Sequence, residues 1–402
     1  MDAPVETRRP PFAAWLSETN DVTKRFLSAG SIPDLVNLAG GLPDPATYPG
    51  AEVAELAAAA ARDHAAETLA YGTVDGLPAL RDEIARRFST PELRLSRENV
   101  LVTTAGMQGL CLVGLTMLDP GGIIACQSPA YLGALDAWRP RSPVYRPFHP
   151  DRNDFDPVAA LDGARFGYTV PNFSNPTGKL VPVERRKALV AAAHETGTWL
   201  VEDDPYGALY YDGPPLPRLL SISGAMAPGP YRGPVVYLGT FSKEIAPGLR
   251  IGWMIAAPEA IEAFGMAKQG ADMCTSPLCQ RIALDALRTG LPEKIRPGLL
   301  ALYSERRNAL AAAMAEHLSG LFDWEVPVGG MFIWATAKDP DFDTDRLFET
   351  GLEHGVCVSP GRVFDPAGKD RRSIRLNFTL NPPEKLAEGV RRLAKACAAM
   401  KG

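Results

Sequence analysis

The chain is 402 residues long, 46% hydrophobic and 22% charged, enough to bury one large core or two modest ones without a metal or disulfide staple. Its formal net charge of −5 argues against a nucleic-acid surface, and no apolar run approaches a membrane span or the centre of a signal peptide. The six cysteines lack metal-ligand spacing and read as thiols of a reducing cytoplasm.

The stretch through about Pro49 does not join the pattern that follows. It is expected to pack on a second domain or to cover a site between two domains. From Asn99 one theme recurs: a short apolar run, a polar or glycine-bearing turn, then a helix. NVLVTTAG precedes MQGLCLVGLTML, GGIIACQSPAY precedes LGALDAW, and ARFGYTVPNFSNPTG precedes PVERRKALVAAAHETG. TWLVEDDPYG and PVVYLGTFSK follow. This alternation predicts a mostly parallel sheet with helices on both faces. The character changes near Asp272. SPLCQRIALDALRTG and IRPGLLALYSERRNALAAAMAEHLSG have helical apolar spacing. WEVPVGGMFIWATA, HGVCVSPGRVF and SIRLNFTL are shorter strand candidates, and PPEKLAEGVRRLAKACAAM is a terminal helix. These make a smaller α+β domain.

Ligands of open α/β sheets bind beyond the carboxyl ends of the strands. The first such end offers Thr103, Thr104, Ala105, Gly106 and Met107 at a helix start, where backbone N–H groups can cradle an anion. The later ends offer Tyr131, then Asn175, then Asp203, Asp204 and Tyr206, then Thr240, Ser242 and Lys243 with Arg250 beyond. Each has a bland reading alone: NPTG is a good turn, Asp203 a helix cap, Tyr131 packing. Together they make an anion cradle, an aromatic cover, an amide and a phenol, a carboxylate and an amine. A phosphorylated, aromatic, nitrogen-containing aldehyde uses every one of them.

LAGGLPDPATYP, YGTVDGLPALR, VTTAGMQGL, SPAYLG, VPNFSNPTG, VEDDPYGAL, GTFSKEIAPGLRIGW, GGMFIW and IRLNF occur in this order between Asn37 and Phe378. As a set they resemble the fold-type I pyridoxal 5′-phosphate (PLP) enzymes, class I/II aminotransferases of the 2-aminoadipate, kynurenine and aromatic group. The resemblance implies an α/β fold: a large domain with a mostly parallel seven-stranded sheet sandwiched by helices, plus a smaller α+β domain. It implies an N-terminal arm over 1–49, a large domain over 50–285 and a small one over 286–402.

It also implies roles. Lys243 forms the Schiff base with PLP and later moves the substrate α-proton. That needs a free amine, scarce at the ordinary lysine pKa of about 10.4, which burial and Arg250 should lower. Asp203 pairs with the pyridine nitrogen, Asn175 and Tyr206 with the ring 3-oxygen, and Tyr131 stacks on the ring. Thr240, Ser242, Arg250 and the backbone of Ala105, Gly106 and Met107 hold the phosphate. Relatives commonly carry a serine and a glutamine where this chain has Gly106 and Met107, so one phosphate-facing hydroxyl is missing. Tyr71 reaches the neighbouring subunit's phosphate, which implies a homodimer with shared sites. Arg375 grips the substrate α-carboxylate beside Asn175, and Gly40 and Gly41 leave room for substrate. Arg25, or Lys24 beside it, meets a substrate side-chain carboxylate. No metal is implied. The expected activity is ping-pong transfer of an amino group from an L-amino acid to a 2-oxo acid such as 2-oxoglutarate. The expected partners include no nucleic acid and no membrane. Two other readings share the resemblance: a same-fold enzyme of oxidation, cyclisation or elimination, and a regulator's sensor domain. The second requires a preceding winged helix, for which the pattern from Asn37 leaves no room.

Overall fold

Seven strands build the central sheet of the computed structural model, which describes residues 11–18, 25 and 32–400. They are β1 (Val100–Thr103), β2 (Ile123–Gln127), β3 (Val144–Phe148), β4 (Phe166–Thr169), β5 (Trp199–Asp203), β6 (Val235–Thr240) and β7 (Gly252–Ile255). Their order across the sheet is β1-β7-β6-β5-β4-β2-β3. β7 runs antiparallel to both neighbours, and the other pairings are parallel. The apolar pattern points to five of these strands. β3 escapes it because VYRPF lies at the sheet edge, with Val144 and Pro147 exposed; β7 is marked only by GWMI. With the smaller domain below, this is the expected α/β architecture.

Strand alternation decides which side chain faces which layer. Leu101, Ile124, Tyr168, Val201, Leu238 and Met254 pack toward Ala105–Met117, Leu132–Trp138 and Pro258–Ala271. Val100, Val102, Leu200, Val235, Tyr237 and Ile255 pack toward Pro78–Phe88, Val183–Thr196, Leu219–Met226 and Pro277–Arg288. Every residue of β1, β4 and β6 is buried, as covering on both faces requires.

The smaller domain is built on an antiparallel sheet of Phe322–Trp324, Phe332–Ala337, Ser373–Asn377 and Ser359–Pro360, in that order. Leu310 and Met314 of Leu291–His317 and Leu386, Val390 and Leu393 of Pro383–Ala399 close its core. The first of these helices begins at Leu291 rather than Ile295, because Pro292 occupies a first-turn position that needs no N–H donor. Val36–Asn37 pairs in parallel with Val356–Cys357, and Val36 and Leu38 enter the same core. Gly389 makes room for them, since a Cβ there would stand 2.8 Å from Val36 Cγ1. Among the described residues no helix is long and apolar enough to cross a membrane.

The acidic run Glu202-Asp203-Asp204 follows the same alternation. Glu202 Oε1 and Oε2 accept the N–H groups of Leu219 (2.8 Å) and Leu220 (2.9 Å), capping Leu219–Met226 from below. Asp204 accepts from Asn172 Nδ2 (2.8 Å) and Tyr237 Oη (3.1 Å). Asp203 faces the opposite layer. Glu202→Ala is therefore expected to strand two helix donors and cost about 2 kcal/mol. A lower denaturant midpoint, with ligand affinity on the Asp203 face within twofold of the parent, checks it.

Candidate active site

Strand ends, arm and smaller sheet meet around one cavity of about 360 Å³. Ala105, Gly106 and Met107 come from the end of β1, Tyr131 from β2 and Asn175 from β4. Asp203 and Tyr206 come from β5, Thr240, Ser242 and Lys243 from β6, and Arg250 leads into β7. Arg375 enters from Ser373–Asn377, and Gly40 and Gly41 from the arm. Two expected site residues stand outside this lining. Tyr71 is on the surface, 87% exposed. Arg25 pairs with both carboxylate oxygens of Glu349 at 2.6 Å and lies 4.7 Å from the Phe348 ring centre. Lys24 lies outside the described residues.

One end of the cavity suits an anion. Ala105, at φ +60°, turns the chain into Ala105–Met117, a left-handed value uncommon for a residue with a Cβ. The first N–H groups of a helix have no partner within it and carry its positive end. β7 abuts this turn because Gly252 has no side chain: a Cβ would lie 2.7 Å from the Ala105 carbonyl carbon and 2.9 Å from Gly106 N. Thr240 Oγ1 and Ser242 Oγ lie 2.9 Å apart. Arg250, left-handed at φ 52°, turns back so that its Nη1 donates to Pro247 O at 3.2 Å. A Cβ on Gly106 would meet nothing within 4 Å, so space remains at the helix start.

Tyr131 forms a side wall. Its hydroxyl donates to Met107 Sδ at 3.6 Å, and its ring occupies the place where a Gly133 Cβ would be, 2.5 Å from Cζ. Burial, then the Asp203 carboxylate, push this phenol up to about 12. Asp203 is 6% exposed and accepts from Tyr168 Oη at 2.8 Å. Burial pushes its carboxyl up to about 7; the Tyr168 hydrogen bond opposes that rise and Asp204 adds to it.

Lys243 Nζ donates to Gly41 O at 2.9 Å. Burial, with the Arg375 and Arg250 cations, brings this amine down to about 8. Arg375 is 3% exposed, with its guanidinium 4.3 Å and 4.7 Å from the ring centres of Phe332 and Phe364. Nη1 donates to Asn175 Oδ1 (2.7 Å); Nη2 donates to Ala39 O and to Ser359 Oγ (3.3 Å). All these partners are neutral, and the buried Nε has no hydrogen-bond partner among the described residues. Burial lowers the guanidinium to about 10, so it stays cationic at neutral pH. A buried cation without an anion is costly, so this one calls for an anionic ligand.

Tyr168 and Ser359 are contacts the sequence pattern does not single out. Tyr168 pairs in register with Val201, two residues before Asp203 on the same face, a signal legible only once the strand order is known.

A buried amine of lowered basicity, a flat wall, a carboxylate and an anion cradle fit an enzyme that carries a phosphorylated pyridine aldehyde. The Arg375 guanidinium, lining the cavity among neutral partners, fits the carboxylate of an amino acid. The family model of aminotransferase class I and II matches residues 33–393, and the chain belongs to that family. It is 36% identical over 386 residues to "Aromatic-amino-acid aminotransferase 1" of Thermococcus litoralis, covering 92% of this chain and 90% of the relative. Its fold matches the crystal structure of LysN, an alpha-aminoadipate aminotransferase of Thermus thermophilus complexed with N-(5′-phosphopyridoxyl)-L-leucine. The TM-score is 0.85 at 32% identity, over 97% of this chain and 99% of that one. Pyrococcus horikoshii kynurenine aminotransferase, crystallised with PMP, kynurenine and its product, matches at TM-score 0.88 and 33% identity, over 97% of this chain and 98% of that one. The protein is a PLP-dependent aminotransferase.

Two outcomes follow from this geometry. A lysine amine becomes nucleophilic as it loses its proton, so uptake of PLP by the cofactor-free protein should quicken with pH and level off above about 8. A midpoint near the ordinary value of about 10.4 would refute the lowering. Gly106→Ser should put a hydroxyl into the free space at the helix start and tighten PLP about threefold to tenfold. Titration of cofactor-free protein, followed by absorbance, measures that affinity.

Proposed function

We propose that the enzyme transfers the amino group of an apolar or aromatic L-amino acid to a 2-oxo acid, with 2-oxoglutarate as acceptor, in a two-step ping-pong exchange. The observation that carries this reading is Arg375, buried, cationic and held only by neutral groups among the described residues, in the cavity that holds Lys243. It supports bidentate recognition of the substrate α-carboxylate, with Asn175 beside it. When bound, PLP supplies the aldehyde that takes up the amine and a ring that withdraws electrons from the α-carbon. Lys243 Nζ holds the cofactor at rest and, once freed, takes up the α-carbon's proton and delivers it again. Its lowered basicity supports both tasks.

Asp203 would hold the pyridine nitrogen. Asn175 Nδ2 and the Tyr206 hydroxyl, 3.4 Å apart, would hold the ring 3-oxygen. Tyr131 would cover the ring face. Thr240, Ser242, Arg250 and the backbone N–H groups of Ala105, Gly106 and Met107 would hold the phosphate. Gly40 and Gly41 would leave room for the substrate. Leu42, Met107, Leu110, Leu132 and Val170 line the rest of the cavity and support an uncharged donor side chain.

An acidic acceptor needs a second cation, and Arg25 supports that role. It lies over Phe348, which packs in one cluster with Leu132 of the cavity wall and Phe364 beneath Arg375. Exchanging Glu349 for the acceptor's distal carboxylate would let one site take both substrates. Tyr71, exposed with Leu69 (70%) and Met273 (52%), supports a homodimer in which it reaches the partner's phosphate. The six free thiols support a cytoplasmic location. The proposed division remains an arm through residue 49, a large domain over 50–285 and a small one from 286.

The absorbance of the bound cofactor should shift when phenylalanine is added alone and return when 2-oxoglutarate follows. Product formation without recovery by any 2-oxo acid would falsify the transamination cycle for this substrate class. Arg25→Ala should raise the KM for 2-oxoglutarate about tenfold, the cost of losing one charged hydrogen-bond partner. It should leave kcat/KM for phenylalanine within threefold of the parent. Equal effects on both substrates in steady-state kinetics would remove Arg25 from side-chain selection.

A further inference from the structure

We infer that Tyr168 is a positioning residue for the reaction: its hydroxyl fixes the Asp203 carboxylate in the orientation that meets the cofactor's ring nitrogen. The inference rests on the reading of Asp203 given above. β4 places Tyr168 beside Val201 of β5, so its ring lies on the cavity face, diagonal to Asp203 two residues on. The side chain is fully buried, and its hydroxyl donates to Asp203 Oδ2 at 2.8 Å. Asp203 Oδ1 accepts no hydrogen bond among the described residues. Tyr168 therefore occupies one carboxylate oxygen and leaves the other for a ligand in the cavity.

Packing encloses the phenol on the side away from Asp203. Trp138 packs edge-on against it, with ring centres 5.0 Å apart and planes at 84°. Trp138 is itself fully buried, packs against Phe166 at 5.1 Å, and donates its indole N–H to Leu110 O at 2.8 Å. Gly114 leaves space for that indole, because a Cβ would lie 2.6 Å from Trp138 Cδ1. Leu110 and Gly114 belong to Ala105–Met117, the helix whose first turn lines the anion end of the cavity. A packed line thus runs from that helix through Trp138 and Tyr168 to Asp203. Both ends of the cofactor's seat take their position from one helix.

The groups around Asp203 single out Tyr168 from its neighbours. Asp204 follows it just past the end of β5, and Tyr131 and Tyr206 feel its charge from the loops after β2 and β5. Burial pushes all three phenols upward, so each stays protonated. Tyr168 is the phenol that hydrogen-bonds the carboxylate and favours its charged form against burial. Without that bond Asp203 would take up a proton more readily and lose the charge that holds a pyridinium.

Tyr168→Phe removes the hydroxyl and keeps the ring. Titration of cofactor-free protein with PLP should give a Kd about tenfold higher, the worth of a hydrogen bond to a charged group. In steady state kcat should fall while the KM for the amino donor stays within twofold. The same substitution in an Asp203→Asn background should change Kd less than twofold, because the partner charge is gone. A Kd unchanged by Tyr168→Phe overturns the inference. So does a rise of equal size in the Asp203→Asn background, or a loss of folding, either of which marks a packing role. If Asp203→Asn alone leaves Kd and kcat untouched, the reading of Asp203 itself fails, which separates the two failures.

Discussion

A buried guanidinium whose protein partners are all neutral sets the terms for the rest of the cleft. Arg375 lies between Phe332 and Phe364, held by Asn175, Ala39 and Ser359 but balanced by no carboxylate among those contacts. Such a charge is tolerable where an anion is to arrive. The same charge acts on Lys243, where burial and then Arg375 depress the amine. One cation thus serves two purposes. In the cofactor-free protein it keeps the lysine partly unprotonated, which on the proposed reading would let it attack the cofactor's aldehyde. On the proposed reading, a substrate carboxylate neutralising Arg375 would weaken its push on the amine and make Lys243 a better proton acceptor. The change in basicity would then coincide with the proposed movement of the α-proton.

The sheet supplies the opposite charge with equal economy. Glu202, Asp203 and Asp204 are consecutive, yet alternation sends the middle one into the cavity and the outer two into the layer behind. There Glu202 caps a helix and Asp204 gathers Asn172 and Tyr237. A shift of register by one residue would exchange these tasks, leaving a helix end uncapped and two carboxylates in the site. The packing of Leu200 and Val201 on opposite faces resists that shift and so protects the chemistry as well as the fold.

Much of the site was legible in the sequence because its residues follow apolar runs that end abruptly: Asp203 after TWLVE, Lys243 after VVYLGTFS, Ala105 after VLVTT. An open parallel sheet brings such ends together whatever the order of its strands. What stayed hidden depends on that order or on distant packing. Tyr168 reads as one more buried aromatic until β4 is known to lie beside β5. The pairing of Arg25 with Glu349 joins residues 324 apart, and no local pattern announces it. The isolation of Arg375 needs two phenylalanines from separate segments. Strands β3 and β7 were hidden for a simpler reason, being short, polar or at an edge.

The arm carries the remaining constraint. Ala39 O receives bonds from Arg375 and Ser359, Leu42 O from Thr379 Oγ1 at 2.9 Å, and Asp44 from Arg306 Nη2 at 2.6 Å. Residues 39–44 are thus tied at several points to the smaller domain and its long helix, while Gly41 O meets Lys243 Nζ from the large domain. A lysine engaged with the cofactor would have no spare proton for Gly41 O, whereas a freed lysine would. On the proposed reading, the contact across the cleft would be available once the substrate holds the cofactor and absent in the resting enzyme. Gly41 suits this position because a Cβ would already approach Phe332 Cζ to 3.1 Å. A side chain there would press on the ring that lies against Arg375, so the residue that receives the lysine's bond also keeps the space around Arg375 clear.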